Sequence, residues 1–262
     1  MNTQNRTKRV RPTEDPATVD VGSGLLARLI PLKRARVRII DHVSYKERRV
    51  RGIPGINATP QPGVREFDVR FPGGDRRTRP MRIRSTPTRI YDDITPDPRA
   101  ELVRSLDELI RPGDRVLELG CGTGAGAKHL AYLTGPSGGV VSLDRDGEAI
   151  RFARQRYAAA QLGFELGWIE TLAGELDDAF DTVVLVDPLR DGSTQAEHDQ
   201  TIGEIIRVIR PGGHLLCIGT TDEAGERARR ILEEHAIDPV HGQHRAKGWR
   251  ASLWKKPGGP QR

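Results

Sequence analysis

The sequence predicts an α/β fold with a mostly parallel sheet, and three observations lead to this prediction. Short apolar runs alternate along the chain with stretches of helical spacing. The run at residues 116–119 leads into three glycines at alternate positions, and the run at residues 139–144 ends in Asp144. Strands that alternate with helices form parallel sheets, because parallel neighbours need a crossover connection. Ligands bind such sheets at the carboxyl ends of the strands.

The first of these strands carries the strongest functional signal. Residues 116–119 read Val-Leu-Glu-Leu, a buried strand with one acid, and Gly120, Gly122 and Gly124 follow. Glycine adopts backbone conformations closed to other residues and lets a ligand lie against the main chain. The helix predicted from Ala125 points its free N–H groups at the same place. A carboxylate at Glu118 would repel a pyrophosphate and suits a ligand with a cationic end.

This string resembles motif I of the class I S-adenosylmethionine-dependent methyltransferases, whose pattern is acid-x-Gly-x-Gly-x-Gly. The resemblance implies S-adenosyl-L-methionine as cofactor and assigns contacts with it to Glu118, Gly120, Cys121, Gly122, Thr123 and Gly124. The dinucleotide pattern G-x-G-x-x-G/A is also met, by Gly120, Gly122 and Ala125. An NAD(P)-dependent oxidoreductase therefore stays an alternative on the glycines alone.

The second strand ends in a residue suited to a ribose. Asp144 lies 20 residues beyond Gly124, the spacing at which an acid accepts hydrogen bonds from ribose hydroxyls. In the resembling family this residue holds the ribose, and we assign Arg145 beside it to the same site. A purely structural role as a helix cap is assigned instead to Asp146.

The third strand departs from the family pattern. Family members often carry an aspartate after the glycine of this segment, close to the adenine, whereas here Trp168 follows Gly167. An indole ring is able to stack on adenine, or to plug the corner between strand and loop, and both readings stay open. The predicted adenine pocket includes Trp168 and Ile169, with Glu170 beside them.

The fourth strand, residues 180–186, ends at Asp187, which the resemblance places opposite the transferred methyl group. We assign Asp187 to the cofactor site and as the catalytic candidate, with roles in orienting the acceptor, accepting a proton or capping the loop. DNA and protein-glutamine N-methyltransferases carry Asn/Asp-Pro-Pro-aromatic at this point. This chain reads Asp-Pro-Leu-Arg at residues 187–190, so that class of acceptor is not supported.

The remaining elements complete a Rossmann-like sheet of seven strands. A helix is predicted at residues 197–209, ended by Arg-Pro-Gly-Gly, then a strand at 214–219 and a helix at 225–235. Residues 240–243 and 249–255 are predicted as the last two strands, which in the family form an antiparallel hairpin at the sheet edge. Upstream, Thr95 or Asp97 caps a helix predicted to reach Ile110. The resemblance covers roughly residues 91–256.

Composition and charge suggest a second module. The chain has 262 residues and two cysteines, and neither a membrane-span-length apolar run nor the apolar core of a secretory signal is visible, so a cytoplasmic protein is expected. We predict a disordered tail at 1–18, a small basic, β-rich module at 19–90, the methyltransferase domain at 91–256 and a tail at 257–262. Strands are expected at 37–43, 64–71 and 81–84, and a short helix at 25–30.

The charge of the front section predicts an anionic partner. Residues 1–90 contain 21 Lys and Arg against 8 Asp and Glu, whereas the chain as a whole has a net charge of +6. Arginine dominates and offers a planar fork to phosphate, so nucleic acid is one candidate. A solvated or protein-docking face, an anionic small substrate and a membrane surface are the alternatives.

Two classes of function follow from the sequence. The first is a methyltransferase acting on RNA, protein or a small metabolite, and the second is a methyltransferase-like binding module without catalysis. The intact glycine motif and Asp144 favour the first class. His198, after the fourth strand, and His241 and His244, near the edge hairpin, are weaker candidates for a base. The spacing of the seven histidines does not indicate a metal site.

Overall fold

The structure is a computed structural model that describes residues 37–48, 62–75, 77–168, 177–187, 194–220, 230, 232–234 and 238–258, without the side chains of 195, 198, 220 and 241–243. Several predicted features lie outside the described residues, namely the tail at 1–18, the helix at 25–30 and most of the helix at 225–235. The chain divides into two compact units, Met1–Arg84 and Ser85–Arg262.

The first unit contains a four-stranded antiparallel sheet in the order β1-β2-β3-β4. Its strands are β1 (Val37–Ile40), β2 (Val43–Glu47), β3 (Arg65–Arg70) and β4 (Met81–Ser85). One face of the sheet is buried and apolar, because Phe67 and Val69 alternate with charged residues along β3. Its buried side chains are Val43, Tyr45, Phe67, Val69 and Ile83.

The single strand predicted at residues 37–43 is wrong, because a two-residue turn divides this segment. Asp41 and His42 have φ angles of 46° and 65°, and Ile40 pairs with Val43 across the turn. Two consecutive residues with positive φ form the tight hairpin turn whose twist matches that of the strands. Aspartate tolerates this conformation better than most residues, so the turn forms without glycine.

The second unit contains a seven-stranded sheet in the order β10-β11-β9-β8-β5-β6-β7. Its strands are β5 (Arg115–Leu119), β6 (Gly139–Asp144), β7 (Leu162–Leu166), β8 (Phe180–Val186), β9 (Ile209–Thr220), β10 (Asp238–Ala246) and β11 (Trp249–Lys255). Strand β11 is antiparallel to both β9 and β10. The seven strands and the antiparallel edge hairpin confirm the predicted fold class.

Helices cover both faces of this sheet. They are α1 (Pro98–Val103), α2 (Ala125–Thr134), α3 (Gly147–Arg156) and α4 (Gln195–Val208). Leu102, Val103 and Leu130 from α1 and α2 pack on one face, and Ile202 and Ile205 from α4 pack on the other. The central strands are thus buried on both sides, which explains their continuous apolar sequence.

Two predicted boundaries need correction. The helix expected to reach Ile110 ends as α-helix at Val103 and continues as a 3₁₀ turn, Arg104–Leu106, followed by further turns that bond back to Leu106. The Arg-Pro-Gly-Gly segment does not end α4, which stops at Val208. Ile209 already pairs with Phe180, and His214 pairs with Thr182, so residues 210–213 form a bulge within β9.

Candidate functional site

The glycine loop connects β5 to α2 at the carboxyl edge of the sheet. Gly120 and Gly124 have φ angles of 82° and 90°, a region that other residues rarely adopt. A Cβ on Gly120 would lie 2.6 Å from the carbonyl oxygen of Val186, and one on Gly124 would lie 2.9 Å from the Phe164 ring. The loop therefore lies tightly against β8 and β7.

Glu118 forms the floor of a cleft beside this loop. Its side chain is 1% exposed and accepts a hydrogen bond of 3.0 Å from the Ser142 hydroxyl. A Cβ on Gly126 would lie 2.5 Å from Glu118 Oε1, so helix α2 packs directly on the carboxylate. Burial raises the pKa of Glu118 to about 7, and the Ser142 hydrogen bond only partly opposes this rise.

Sequence reasoning missed Arg99, the basic residue of the cleft. Arg99 donates from Nε and Nη2 to the two carboxylate oxygens of Asp97 at 2.9 and 2.8 Å. Burial alone would lower the pKa of Arg99, but Asp97 and the nearby charges of Asp144 and Asp187 raise it, so the guanidinium stays charged. Its side chain is only 14% exposed.

Local sequence explains why Arg99 is held there. Asp97 is the N-cap of α1 and accepts the Arg99 backbone N–H at 2.9 Å, which settles the choice between Thr95 and Asp97 as cap. Pro98 at the first helical position leaves Asp97 in an extended conformation. The Asp-Pro-Arg order was the signal available in the sequence, but the direction of the side chain depends on how α1 packs.

Asp144 lies at the end of β6, beside the glycine loop. Its carboxylate accepts the Gly122 N–H at 2.7 Å on Oδ2 and the Asp146 N–H at 2.8 Å on Oδ1. Each carboxylate oxygen has a second lone pair for a ligand hydroxyl. Asp146 caps α3 by accepting from Glu148 and Ala149, as predicted.

Arg145 and Trp168 form a stacked pair. The Arg145 guanidinium carbon lies 4.8 Å from the centre of the Trp168 ring, and Arg145 is exposed. Trp168 is 8% exposed and packs in the apolar cluster that includes Leu119 and Leu143. The indole thus packs in the core on one side and contacts the Arg145 guanidinium on the other. Ile169 and Glu170 lie outside the described residues.

Cys121 and Thr123 have mainly structural contacts. Cys121 is buried, and burial raises the pKa of its thiol well above the usual value, so the thiol stays protonated. The Thr123 hydroxyl donates to the Ile90 carbonyl at 2.7 Å. Arg89, which precedes Ile90, forms ion pairs with Asp146 and with Glu148 at the start of α3. Segment 89–91 is thereby fixed to the motif loop and to α3.

Asp187 follows β8 at the same edge, in an unusual conformation. Its φ is 52°, its side chain is exposed, and its N–H donates to the Ile218 carbonyl at 2.8 Å. A non-glycine residue held in this region costs on the order of 1–3 kcal/mol and is commonest at functional sites. The structure thus places Asp187 within electrostatic reach of Arg99.

Trp249 is a second residue that the sequence did not single out as part of the site. It begins β11, pairs with Thr220 at the carboxyl end of β9, and is half-buried. The Arg99 guanidinium carbon lies 5.6 Å from the centre of its ring. Because β11 is antiparallel to β9, its first residue is brought to the edge where the parallel strands end.

Only one of the three histidine candidates has a described side chain. The side chains of His198 and His241 lie outside those described, and His244 is exposed on β10. Within the described ranges, no three His, Cys, Asp or Glu side chains are grouped so as to hold a metal ion. In the same part of the chain, no helix is long and apolar enough to cross a membrane.

Known proteins resemble this chain in sequence and in fold. A family model described as "Methyltransferase domain" matches residues 110–244, just over half of the chain. The demethylmenaquinone methyltransferase of Bacillus cereus (strain ATCC 10987 / NRS 248) is 30% identical over 161 residues, and that of Bacillus anthracis (strain CDC 684 / NRRL 3495) has the same identity. These alignments cover 60% of this chain and 65% of the relatives.

Solved structures share the fold at low identity. The [4+2]-cyclase SpnF has a TM-score of 0.52 and 18% identity, covering 66% of this chain and 84% of its own. The N-methyltransferase NodS from Bradyrhizobium japonicum WM9 has a TM-score of 0.50 and 22% identity, covering 61% and 94%. This fold serves more than one activity, so the acceptor has to be argued from the site.

Proposed function

The chain belongs to the family of S-adenosylmethionine-dependent methyltransferases, and we propose that its cleft transfers a methyl group from this cofactor to a small-molecule acceptor. One observation carries the proposal: a buried carboxylate, Glu118, and a largely buried guanidinium, Arg99, line the same cleft. An amino-acid end with an ammonium and a carboxylate group complements this pair, whereas a pyrophosphate would meet the Glu118 charge.

The other predicted cofactor residues fit the rest of the ligand. Asp144 lies beside the glycine loop, at the spacing and position for two ribose hydroxyls. The exposed guanidinium of Arg145, above Trp168, offers a flat surface for a purine ring. We assign Glu118 to the ammonium group, Arg99 to the carboxylate and Asp144 to the ribose.

The cofactor supplies an electrophilic methyl group on a positively charged sulfur. The protein then has to align the acceptor with this methyl group and exclude water, since positioning alone contributes on the order of 7–11 kcal/mol to such reactions. Asp187, held at the end of β8, is placed to orient the acceptor or to take its proton. Half-buried Trp249 supplies an apolar wall at the same edge.

The relatives named demethylmenaquinone methyltransferase support a small acceptor with a planar ring. We propose that such a ring lies against Trp249, with its reacting atom near Asp187. This chain spans about 65% of the length of those relatives, and the acceptor is therefore proposed by chemical class. A cytoplasmic location and a nucleic-acid partner for residues 1–90 stay predictions from the sequence.

Calorimetric titration with S-adenosylmethionine tests the cofactor assignment, with NAD as control. We expect binding of S-adenosylmethionine and none of NAD. The Arg99→Gln variant removes the guanidinium and should weaken binding at least tenfold, whereas Arg111→Gln, an exposed arginine outside the cleft, should bind as the unmodified protein does. Equal affinity of the two variants would contradict the role of Arg99.

Formation of S-adenosylhomocysteine with ring acceptors then separates the two functional classes. A hydroxynaphthoquinone is the first acceptor to test, because the relatives are named for a quinone. Turnover would establish the transfer. Tight cofactor binding without turnover on any ring acceptor would contradict the proposed acceptor class and would favour the binding module without catalysis.

A further inference from the structure

The first unit presents a basic surface on one face of its sheet. Alternation along its strands buries one face of the sheet and leaves the opposite face to solvent. We define this outer face by its charged residues, five basic and two acidic. They are Lys46, Arg48, Glu66, Asp68, Arg70, Arg82 and Arg84.

We propose that the outer face binds the phosphate backbone of a double-stranded nucleic acid. Residues 1–84 contain 20 basic and 8 acidic residues, so the unit as a whole is strongly cationic. Exposed Arg77 and Arg79, in the connection between β3 and β4, extend the basic surface beyond the strands. Arginine is suited to phosphate because its planar fork donates two parallel hydrogen bonds.

The carboxylates of the outer face orient Arg82 and Arg84 without covering them. Asp68 Oδ1 lies 3.8 Å from Arg48 Nη1 and 4.0 Å from Arg82 Nε, and Glu66 Oε1 lies 3.2 Å from Arg84 Nη2. The Arg82 and Arg84 side chains are 65% and 61% exposed. Exposed ion pairs of this kind contribute little stability, so a phosphate replaces or joins a carboxylate at low cost.

The described side chains of the outer face favour one class of polyanion. The described outer face contains no Phe, Tyr or Trp, and the aromatic rings of Tyr45 and Phe67 are buried on the opposite face. Unpaired bases bind by stacking on aromatic side chains, and membrane interfaces favour Trp and Tyr. Contacts with the backbone of a duplex need only cationic donors.

Fluorescence anisotropy of labelled duplexes of about 20 base pairs, titrated from roughly 50 to 200 mM salt, tests this surface. DNA and RNA duplexes of the same sequence distinguish the two sources of phosphate. We expect binding of the full chain that weakens with salt. In the Arg82→Gln/Arg84→Gln variant the slope of log K against log salt should flatten by about 1–2, since each phosphate contact contributes about 0.9.

The control variant, Arg104→Gln/Arg111→Gln, removes the same charge from exposed positions of the second unit. We expect its salt slope to equal that of the unmodified protein. Equal losses in both variants would overturn the proposal, because the effect would then be one of net charge. Absence of duplex binding at the lowest salt, or binding to phosphatidylserine vesicles in place of duplexes, would also overturn it.

A second measurement uses the unmodified protein and does not depend on the folding of a variant. A dicarbonyl reagent modifies exposed arginines, and mass spectrometry locates the adducts. Addition of duplex should protect Arg82 and Arg84 from the reagent and leave Arg104 reactive. Unchanged reactivity of Arg82 and Arg84 in the presence of a bound duplex would place the binding site elsewhere.

Discussion

The replacement Glu118→Gln should make the protein more stable at neutral and alkaline pH and at the same time weaken cofactor binding. The pKa of Glu118 is raised by burial from an ordinary value of 4.5 to about 7. Between these two values the folded protein holds a proton that the unfolded chain has lost. Stability therefore falls as the pH rises through this window, and it stays low above pH 7.

The size of the change in stability follows from the pKa shift of Glu118. A change of one pKa unit corresponds to about 1.4 kcal/mol, so the ionised carboxylate costs the folded state about 3 kcal/mol above pH 7. Glutamine keeps the shape of the side chain and still accepts from the Ser142 hydroxyl, but it does not ionise. The variant should thus gain up to about 3 kcal/mol relative to the unmodified protein at pH 8, and little at pH 5.

Urea denaturation followed by tryptophan fluorescence measures the free energy of unfolding of the second unit, which contains Glu118. All three tryptophans, at positions 168, 249 and 254, belong to the second unit. Exposed Glu108→Gln is the matched control and should show the pH profile of the unmodified protein. If the free energies of unfolding of the Glu118→Gln variant and the unmodified protein run parallel from pH 5 to pH 8, the reasoning about burial is wrong.

Calorimetry, urea denaturation and enzyme kinetics check three further predictions. Asp144→Asn should weaken S-adenosylmethionine binding about tenfold or more, since hydrogen bonds to a charged acceptor contribute about 1.5–3 kcal/mol, and unchanged calorimetric affinity would contradict the ribose assignment. Gly120→Ala should lower the free energy of unfolding by more than about 2 kcal/mol, because its Cβ would meet the Val186 carbonyl at 2.6 Å with φ at 82°. Trp249→Ala should raise the KM of a ring acceptor several-fold and leave the Kd of the cofactor nearly constant. An equal rise in both constants would instead place Trp249 at the cofactor.

The sequence was most informative where a local pattern alone determines the geometry. Strand β5, the glycine loop and Asp144 were predictable because apolar runs, glycine spacing and a terminal acid are all read within about 30 residues. The Asp41–His42 turn was missed because β-branched and apolar residues flank it without glycine. The bulge at residues 210–213 depends on pairing with β8, which no local pattern records.

Arg99 shows the limit of this reasoning more clearly. It precedes the glycine motif by about 20 residues, in a helix whose sequence predicts only a cap and an apolar face. Its place in the cleft follows from the packing of α1 against α2 and the edge hairpin, which brings the guanidinium to the cleft lined by Glu118. Trp249 reaches the same edge only because β11 runs antiparallel to its neighbour. Both residues come from elements that meet the motif through tertiary structure.

Three features that cost stability lie at one edge of the second sheet. Glu118 is a buried carboxylate, Asp187 adopts a positive φ, and Gly120 allows a backbone contact that no other residue would permit. Local rules of folding are broken in natural proteins mainly at functional sites, where a ligand offsets the cost. A cofactor with an ammonium group would neutralise Glu118, the most costly of these features. Asp187, which is not part of the glycine motif, therefore indicates the same edge of the sheet as Glu118 and Gly120 do.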